Sequence, residues 1–263
     1  MKIDQDRIRA ALEAEHSVWG SPDIPYRNDS RWQLGSPSDG SANDFIVRHL
    51  TPTDRVLDLG CGKGHVLTRL SASFHYGLGI DNDPRQIQRA KDAKREQGIQ
   101  NVDFLLLDFP QEARRLQPES FDMVISIRGA LYDTDESIQA AHRLLRPDGL
   151  LFAEEVGELH TREADEIFGG PPEFAEGISV LKNYREALQR NGFEVRLAAD
   201  VWGKMFFPDI YTWAKYERNF GWFSVSLPDP DDPRIALYAE RNTISTGEVV
   251  MTWHCPWIGC VKK

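Results

Sequence analysis

Cysteine is scarce in this sequence. Among 263 residues there are three cysteines, Cys61, Cys255 and Cys260. An odd and sparse set argues against the disulfide framework of a small secreted domain. Cys255, Cys260 and the adjacent His254 could form part of a metal site, but the sequence offers no second pair of ligands. Free cysteines are usually buried side chains. We therefore predict that the protein binds no metal.

The sequence also lacks a long apolar run. A membrane-spanning helix needs about 20 consecutive apolar residues, and no stretch of this chain approaches that length. Residues 1–10 are rich in charge and contain no apolar core typical of a secretory signal. These features predict that no membrane is a partner and that the protein is cytoplasmic.

Positive charge is in deficit. The chain has 41 Asp and Glu against 31 Lys and Arg, a formal net charge of −10 at pH 7. Broad electrostatic binding to nucleic acid requires the opposite balance. The length suits one large α/β domain or one domain with a sizeable insertion, and the composition is that of an ordinary globular protein. The charge balance therefore argues against broad binding to nucleic acid, although it leaves room for a local basic patch. We expect a monomer or homodimer.

The most informative stretch is residues 56–66, VLDLGCGKGHV. An apolar run interrupted by Asp58 predicts a short buried strand, and three alternating glycines then lead into helical spacing. A strand, a glycine turn and a helix are typical of a nucleotide-binding unit, because glycine allows close backbone approach and the helix start offers free N–H groups. The dinucleotide pattern would need Gly or Ala at His65, so it is not favoured.

An acid ends the next predicted strand. Residues 76–80 predict a second parallel strand that ends at Asp81, and Asp83 with Pro84 then begins a helix. A carboxylate at that position lies beside the glycine turn and can accept hydrogen bonds from two ribose hydroxyls. The alternative is a helix-capping acid, a role that Asp83 fills better. We therefore favour the ribose role for Asp81.

A second acid ends the third predicted strand. Residues 102–107 form that strand, and Asp108 and Phe109 follow it. A carboxylate with an aromatic neighbour suits an adenine, which offers an amino group and a flat ring. The alternative is a plain turn acid before Pro110. We favour the adenine role.

Strands and helices continue to alternate along the chain. We predict strands at 121–127, 150–155, 193–201 and 249–261, a turn at 146–149, and helices after Thr134 and over 179–190. Such alternation builds parallel βαβ units with right-handed crossovers. The predicted fold class is therefore α/β, with a mostly parallel sheet.

The segments outside this alternation define the predicted domain organisation. Residues 1–42 form an N-terminal helix and a lid segment, which is alternatively a plain connector. Residues 43–202 and 247–263 form the ligand-binding domain. Residues 203–246 form an aromatic-rich cap insertion with helices near 211–220 and 234–242, and 157–177 form a lesser insertion. The cap's aromatic side chains form its own core or, in part, an acceptor pocket or dimer contact.

Taken together, these motifs resemble the class I S-adenosylmethionine-dependent methyltransferases. The glycine motif at 58–64, the strand end at 79–81, Asp108 and the turn at 144–149 occur in the family's order, and the resemblance covers about residues 43–200. It implies a three-layer Rossmann-like fold with a seven-stranded, mostly parallel sheet whose last strand is antiparallel. It also implies that S-adenosylmethionine lies across the carboxyl ends of the first strands. No subfamily is identified.

The resemblance further implies which residues bind the donor. The glycine turn would cradle the methionine and ribose portion, Asp81 the ribose hydroxyls, and Asp108 with Phe109 the adenine. Ser126 and Arg128, after the fourth strand, would face the sulfonium and the acceptor. The predicted cofactor-binding set is Asp58, Gly60, Cys61, Gly62, Asp81, Asn82, Asp108, Phe109, Ser126 and Arg128.

Motifs that are absent from the sequence narrow the class of methyl acceptor. Residues 126–129 read SIRG, not the Asn/Asp-Pro-Pro-Tyr of DNA and some protein amino-methyltransferases, and no cysteine typical of cytosine-carbon methyltransferases lies nearby. The predicted function is methyl transfer to the oxygen, nitrogen or carbon of a small molecule. Alternatives are an RNA or protein methyltransferase, or a non-catalytic S-adenosylmethionine-binding protein.

Methyl transfer from a sulfonium depends largely on positioning, because the donor is already activated. A hydroxyl, phenol or protonated amine acceptor would also need a general base. No catalytic residue is assigned, and the main candidates are Asp133, Glu155 and His160. Glu154 is a further candidate, with His16 and His254 weaker ones. Arg128 would bind a carboxylate or pair with Asp133.

Overall fold

The computed structural model describes residues 3–13, 27–28, 41–169, 179–220 and 228–263. The chain divides into two compact units. The larger contains Gly35–Gly157, Ser179–Val201 and Cys255–Lys263, and the smaller contains Met1–Leu34, Glu158–Ile178 and Trp202–His254. Most of the predicted lid segment, His16 and the end of the 157–177 insertion lie outside the described residues.

The larger unit is built on a seven-stranded sheet. Numbered in chain order with three strands of the smaller unit, its strands are β2 (Arg55–Leu59), β3 (Tyr76–Asp81), β4 (Val102–Leu106), β5 (Phe121–Ile127), β6 (Leu145–Glu154), β7 (Phe193–Ala199) and β10 (Trp257–Lys262). They lie in the order β4-β3-β2-β5-β6-β10-β7, and β10 is antiparallel to both of its neighbours. The predicted mostly parallel sheet with an antiparallel last strand is confirmed.

Four of the five described α-helices of the larger unit begin at a side-chain cap. The five are α2 (Ala42–His49), α3 (His65–Leu70), α4 (Pro84–Glu96), α5 (Asp135–Leu144) and α7 (Val180–Arg190), of which α3 has no such cap. As predicted, the Asp83 side chain accepts a hydrogen bond from the Arg85 N–H before α4, and Thr134 accepts one from the Ser137 N–H before α5. Apolar side chains of α5 and α7 join those of β2 and β5 in one buried core.

The smaller unit has its own sheet and core. Its strands are β1 (Arg27–Asn28), β8 (Trp202–Phe207) and β9 (Val249–His254), antiparallel in the order β1-β8-β9, and its described helices are α1 (Gln5–Glu13), α6 (Arg162–Phe168), α8 (Ile210–Phe220) and α9 (Pro233–Asn242). The indole of Trp213 stacks on the ring of Tyr238 with centroids 3.7 Å apart, and both side chains are fully buried. These two aromatic side chains therefore form core rather than a ligand surface. No described helix has the length and apolar character needed to cross a membrane.

Two strand predictions were wrong in detail. The single strand predicted at 249–261 is two strands, β9 and β10, which belong to different sheets and are separated at Cys255 and Pro256. Proline has no N–H to continue a ladder, so it suits such a break. The turn predicted at 146–149 lies inside β6, where the partner of Phe121 is Leu145 but that of Met123 is Leu150. Residues 146–149 therefore interrupt the pairing of β5 with β6, and β6 begins at Leu145 rather than at Leu150.

Candidate functional site

The predicted site residues follow strands that end together. Parallel pairing places the last residues of β3, β2, β5 and β6 along one edge of the sheet. The register also sets Leu106 of β4 against Asp81 of β3. Ligands of open α/β sheets bind at this carboxyl edge. The fold therefore brings the glycine turn, Asp81, Asp108 and Ser126 to a common edge of the larger unit.

The glycine turn is held by backbone contacts on two sides. The N–H groups of Gly60 and Cys61 both donate to the Ile80 carbonyl at 2.9 Å. Gly60 has φ of +71°, and a Cβ built on it would lie 2.7 Å from the Ala130 nitrogen. A Cβ on Gly129 would clash with the Leu59 carbonyl oxygen. Only glycine permits this approach of the loops after β2 and β5.

Asp81 links the glycine turn to the start of α4. Its Oδ2 accepts a hydrogen bond from the Gly62 N–H at 2.9 Å, and its Oδ1 accepts one from the Asp83 N–H at 2.9 Å. A carboxylate offers about four lone-pair positions, so about two remain for other donors. The carboxylate is thus fixed in place and still able to bind a pair of hydroxyls.

Asp58 lies buried in β2, two residues before the turn. It is 2% exposed, and its Oδ2 has no hydrogen-bond partner among the described residues. Burial raises the pKa of the Asp58 carboxyl to about 7, and the Asp81 carboxylate adds to the rise. Burial, together with both carboxylates, also raises the pKa of the Cys61 thiol. The turn therefore has a cluster of acidic groups beside it.

The predicted adenine residues have different surroundings. Asp108 is exposed, and its Oδ1 accepts a hydrogen bond from the Asn82 amide at 3.3 Å. Phe109 is 4% exposed and belongs to the apolar core, so its ring does not offer a free face to a ligand. The exposed apolar side chain at this edge is Leu106, at 46%. Sequence reasoning missed it because an apolar residue in a strand is ordinarily interpreted as core.

Arg128 pairs with Glu154 at the end of β6. The Arg128 N–H donates to the Glu154 carbonyl at 2.6 Å, and Arg128 Nε lies 3.3 Å from Glu154 Oε1. Trp257 Nε1 donates to the other carboxyl oxygen at 2.9 Å. Arg128 has φ of +49°, an uncommon conformation for a residue with a side chain, and such strain clusters at functional sites. One sequence prediction was that Arg128 pairs with Asp133. The structure instead has an ion pair between Arg128 and Glu154.

The three catalytic candidates are not equivalent. Glu155 is half-buried, and its Oε1 has no hydrogen-bond partner among the described residues. Burial, and then the Glu154 carboxyl, raises the pKa of Glu155 well above its usual range. Asp133 is exposed on the loop before α5.

His160 belongs to the smaller unit, unlike every predicted cofactor residue. It is buried, its Nδ1 accepts a hydrogen bond from the His254 N–H at 3.2 Å, and its Nε2 lies 3.4 Å from the Tyr216 hydroxyl. Both ring nitrogens therefore have partners inside that unit. This environment suits a structural histidine, whereas Glu155 has an unused acceptor atom.

Residues 50–196, more than half of the chain, match a family model described as a methyltransferase domain. The chain is 26% identical over 181 residues to the highly reducing polyketide synthase pkhB of Emericella nidulans, across 64% of this chain and 7% of that protein. It is 36% identical over 63 residues to the 23S rRNA (uracil(1939)-C(5))-methyltransferase RlmD of Xanthomonas oryzae pv. oryzae, across 24% of this chain and 14% of that protein. The chain thus spans a small part of the length of either relative.

A solved structure extends the likeness to nearly the whole chain. The [4+2]-cyclase SpnF is 22% identical, with a TM-score of 0.56, and the match covers 98% of this chain and 93% of that one. At this identity the likeness shows a shared fold alone.

Proposed function

The chain belongs to the class I, Rossmann-like family of S-adenosylmethionine-dependent methyltransferases, and from that premise we propose that it transfers the methyl group of S-adenosylmethionine to a small molecule. The observation that carries the proposal is the Asp81 carboxylate, which is fixed by the Gly62 and Asp83 N–H groups and keeps free lone pairs at the carboxyl edge of the sheet. A ribose with two neighbouring hydroxyls fits that acceptor.

The residues present at this edge fit the donor. Asp81 would accept the ribose hydroxyls, Asp108 the adenine amino group, and Leu106, rather than Phe109, would offer the exposed apolar contact. The donor is a cation, and the acidic pair of Asp58 and Asp81 suits positive charge. When bound, S-adenosylmethionine supplies a methyl group activated by its sulfonium.

The chain's own residues then have to position an acceptor. The loop after β5 is fixed by the Gly60–Gly129 approach and by the Arg128–Glu154 pair, so it presents a rigid surface. Glu155 Oε1 would take the proton of an acceptor that loses one. Tyr132, in the loop after β5, and Val156, which follows Glu155 in the sequence, are 48% and 37% exposed. These side chains favour a partly apolar acceptor.

Charge favours a small acceptor over RNA. The net charge of −10 disfavours binding a polyanion. One relative acts on rRNA by name, but its match to this chain extends over only 63 residues, whereas the match to the polyketide synthase extends over 181. A cytoplasmic location, a monomeric or homodimeric state and the absence of a metal stay predictions.

Transfer of label tests the proposal. The purified protein is incubated with S-adenosylmethionine labelled in its methyl group and with low-mass, RNA and protein fractions of an extract from its own organism. We expect label in a low-mass product, and far less of it with Asp81→Asn than with Asp92→Asn, which alters a half-buried acid of α4 that pairs with Arg95. Label in RNA or protein would overturn the small-molecule assignment, and no transfer to any fraction would overturn the proposed activity.

A further inference from the structure

Asp58, beside the glycine turn, belongs to the predicted cofactor-binding residues, and that role assigns no proton exchange to its carboxyl. Asp58 is almost completely covered, and its Oδ2 has no hydrogen-bond partner among the described residues. A buried acceptor without a donor is costly, and the cost is larger when the group is charged. Asp58 therefore either stays protonated or obtains a positively charged partner.

The charges around Asp58 oppose its ionisation. Its pairing neighbours in the sheet are Gly79 of β3 and Ile125 of β5, which carry no charge. The charged group that acts on it is Asp81 at the end of β3, and the Cys61 thiol from the turn shares the cluster. Burial and Asp81 both raise the pKa of Asp58, to about 7. Near neutral pH, a modest change of local charge would therefore move its proton.

We propose that Asp58 loses its proton when the cationic methyl donor binds, so that donor binding releases a proton. Asp58 regains a proton after methyl transfer, when the bound product has no net charge. The inference rests on the proposed function, because it needs a donor that carries a net positive charge. S-adenosylmethionine has a sulfonium, an ammonium and a carboxylate, for a net charge of +1. After transfer the sulfonium is a thioether, the C–S electron pair stays on sulfur, and the product is a zwitterion of net charge zero.

This proton exchange would let the site distinguish donor from product. Ionised Asp58 attracts the additional positive charge of the donor, whereas protonated Asp58 does not. Below a pH of about 7, donor affinity should therefore rise by up to roughly tenfold per pH unit, and above it the affinity should level off. Product affinity should rise less steeply, so that the ratio of donor to product affinity increases with pH.

Calorimetry measures the released proton directly. Binding of S-adenosylmethionine and of S-adenosylhomocysteine is measured at pH 6.3 in phosphate and in imidazole, two buffers with different heats of ionisation. At this pH an α-ammonium remains protonated, because its usual pKa is about 7.7–8.0, so the ligand contributes little exchange. We expect the wild type to release most of one proton with the donor and clearly less with the product.

Asp58→Asn removes the titrating group and keeps the side chain's size. The variant should bind without this proton release, and its donor-to-product affinity ratio should change little between pH 5.5 and 8. Asp103→Asn is a matched control, because it alters an exposed acid of β4 that pairs with Lys94. Circular dichroism and thermal melting establish that both variants are folded.

The outcomes separate the two proposals. Donor binding by the wild type with no proton release would overturn the role of Asp58, even if the variant did not fold. Unchanged proton release in folded Asp58→Asn would overturn it as well. If the wild type does not bind S-adenosylmethionine at all, the proposed function fails, and the inference fails with it.

Discussion

The Gly62 N–H, in the loop after β2, donates a hydrogen bond of 2.9 Å to Oδ2 of Asp81, the last residue of the neighbouring strand β3. The other oxygen of the same carboxylate accepts from the Asp83 N–H. One side chain therefore sets the position of the glycine turn and of the start of α4. A ligand group that binds Asp81 meets a carboxylate that needs little rearrangement, and such preorganisation improves affinity.

The close approach at Gly60 predicts a large effect of a small substitution. Gly60→Ala should lower the free energy of unfolding by about 3 kcal/mol, because it combines an unfavourable φ with a Cβ 2.7 Å from the Ala130 nitrogen. Gly98→Ala has a similar φ of +67° but open space around the Cβ, so we expect a loss of about 1 kcal/mol. Urea unfolding measures both, and equal losses would show that the approach of the two loops is unimportant.

The raised pKa of Asp58 predicts that the free energy of unfolding depends on pH. This pKa is about 7 in the folded protein, above its ordinary value of 3.8, so between these values the native state holds a proton that the unfolded state has lost. The wild type should therefore lose stability as pH rises from about 4 to 7, and relative to it Asp58→Asn should gain on the order of 2–4 kcal/mol by pH 8. Thermal melting at pH 4.5 and 8 measures the difference. A gain that is the same at both pH values contradicts the raised pKa.

We predict that the Tyr184 hydroxyl stabilises the loop after β5. It donates to the Leu131 carbonyl at 2.7 Å in a buried position, so Tyr184→Phe leaves that carbonyl without this donor. We expect a loss of about 1–2 kcal/mol in unfolding free energy. Tyr76→Phe removes a more exposed hydroxyl contact to Asp103 at 3.2 Å and should cost less than about 0.5 kcal/mol. Similar losses in the two variants would contradict the role assigned to Tyr184.

The hydrogen bonds of Glu163 with Thr252 and Lys204, in the smaller unit, predict a loss of stability in acid. Burial alone would raise the pKa of Glu163, but hydrogen bonds from Thr252 and the Lys204 ammonium outweigh it and lower the pKa. A lowered carboxyl pKa adds stability above the unfolded pKa, near 4.5, and that stability is lost as pH falls through the folded value. Glu163→Gln should therefore lose about 1–3 kcal/mol at pH 7 and less at pH 3. An equal loss at both pH values would refute the linkage.

The sequence predicted the larger unit's sheet well because its signals are local. Apolar runs, the glycine turn and the capping residues Asp83 and Thr134 each act within a few positions of the chain. The family's order of motifs then supplied the arrangement of strands, including the antiparallel β10. These features need no knowledge of distant contacts.

The features that were missed depend on contacts between distant segments. Alternation over 249–261 could not show that β9 and β10 pair with different sheets. Phe109 follows a strand end, as expected, but its ring packs into the core while Leu106 is exposed. The raised pKa of Asp58 arises from burial and from Asp81, which lies 23 positions further along the chain. Packing decides such matters, and a one-dimensional pattern does not contain it.

The most direct test of the central claim is calorimetric titration of the protein with S-adenosylmethionine. We predict one binding site in the wild type and unchanged affinity in Asp92→Asn, the control in α4. In Asp81→Asn we predict roughly 10- to 100-fold weaker binding, because hydrogen bonds to a charged carboxylate are worth about 1.5–3 kcal/mol. No binding to the wild type, or equal binding to wild type and Asp81→Asn, would contradict the account.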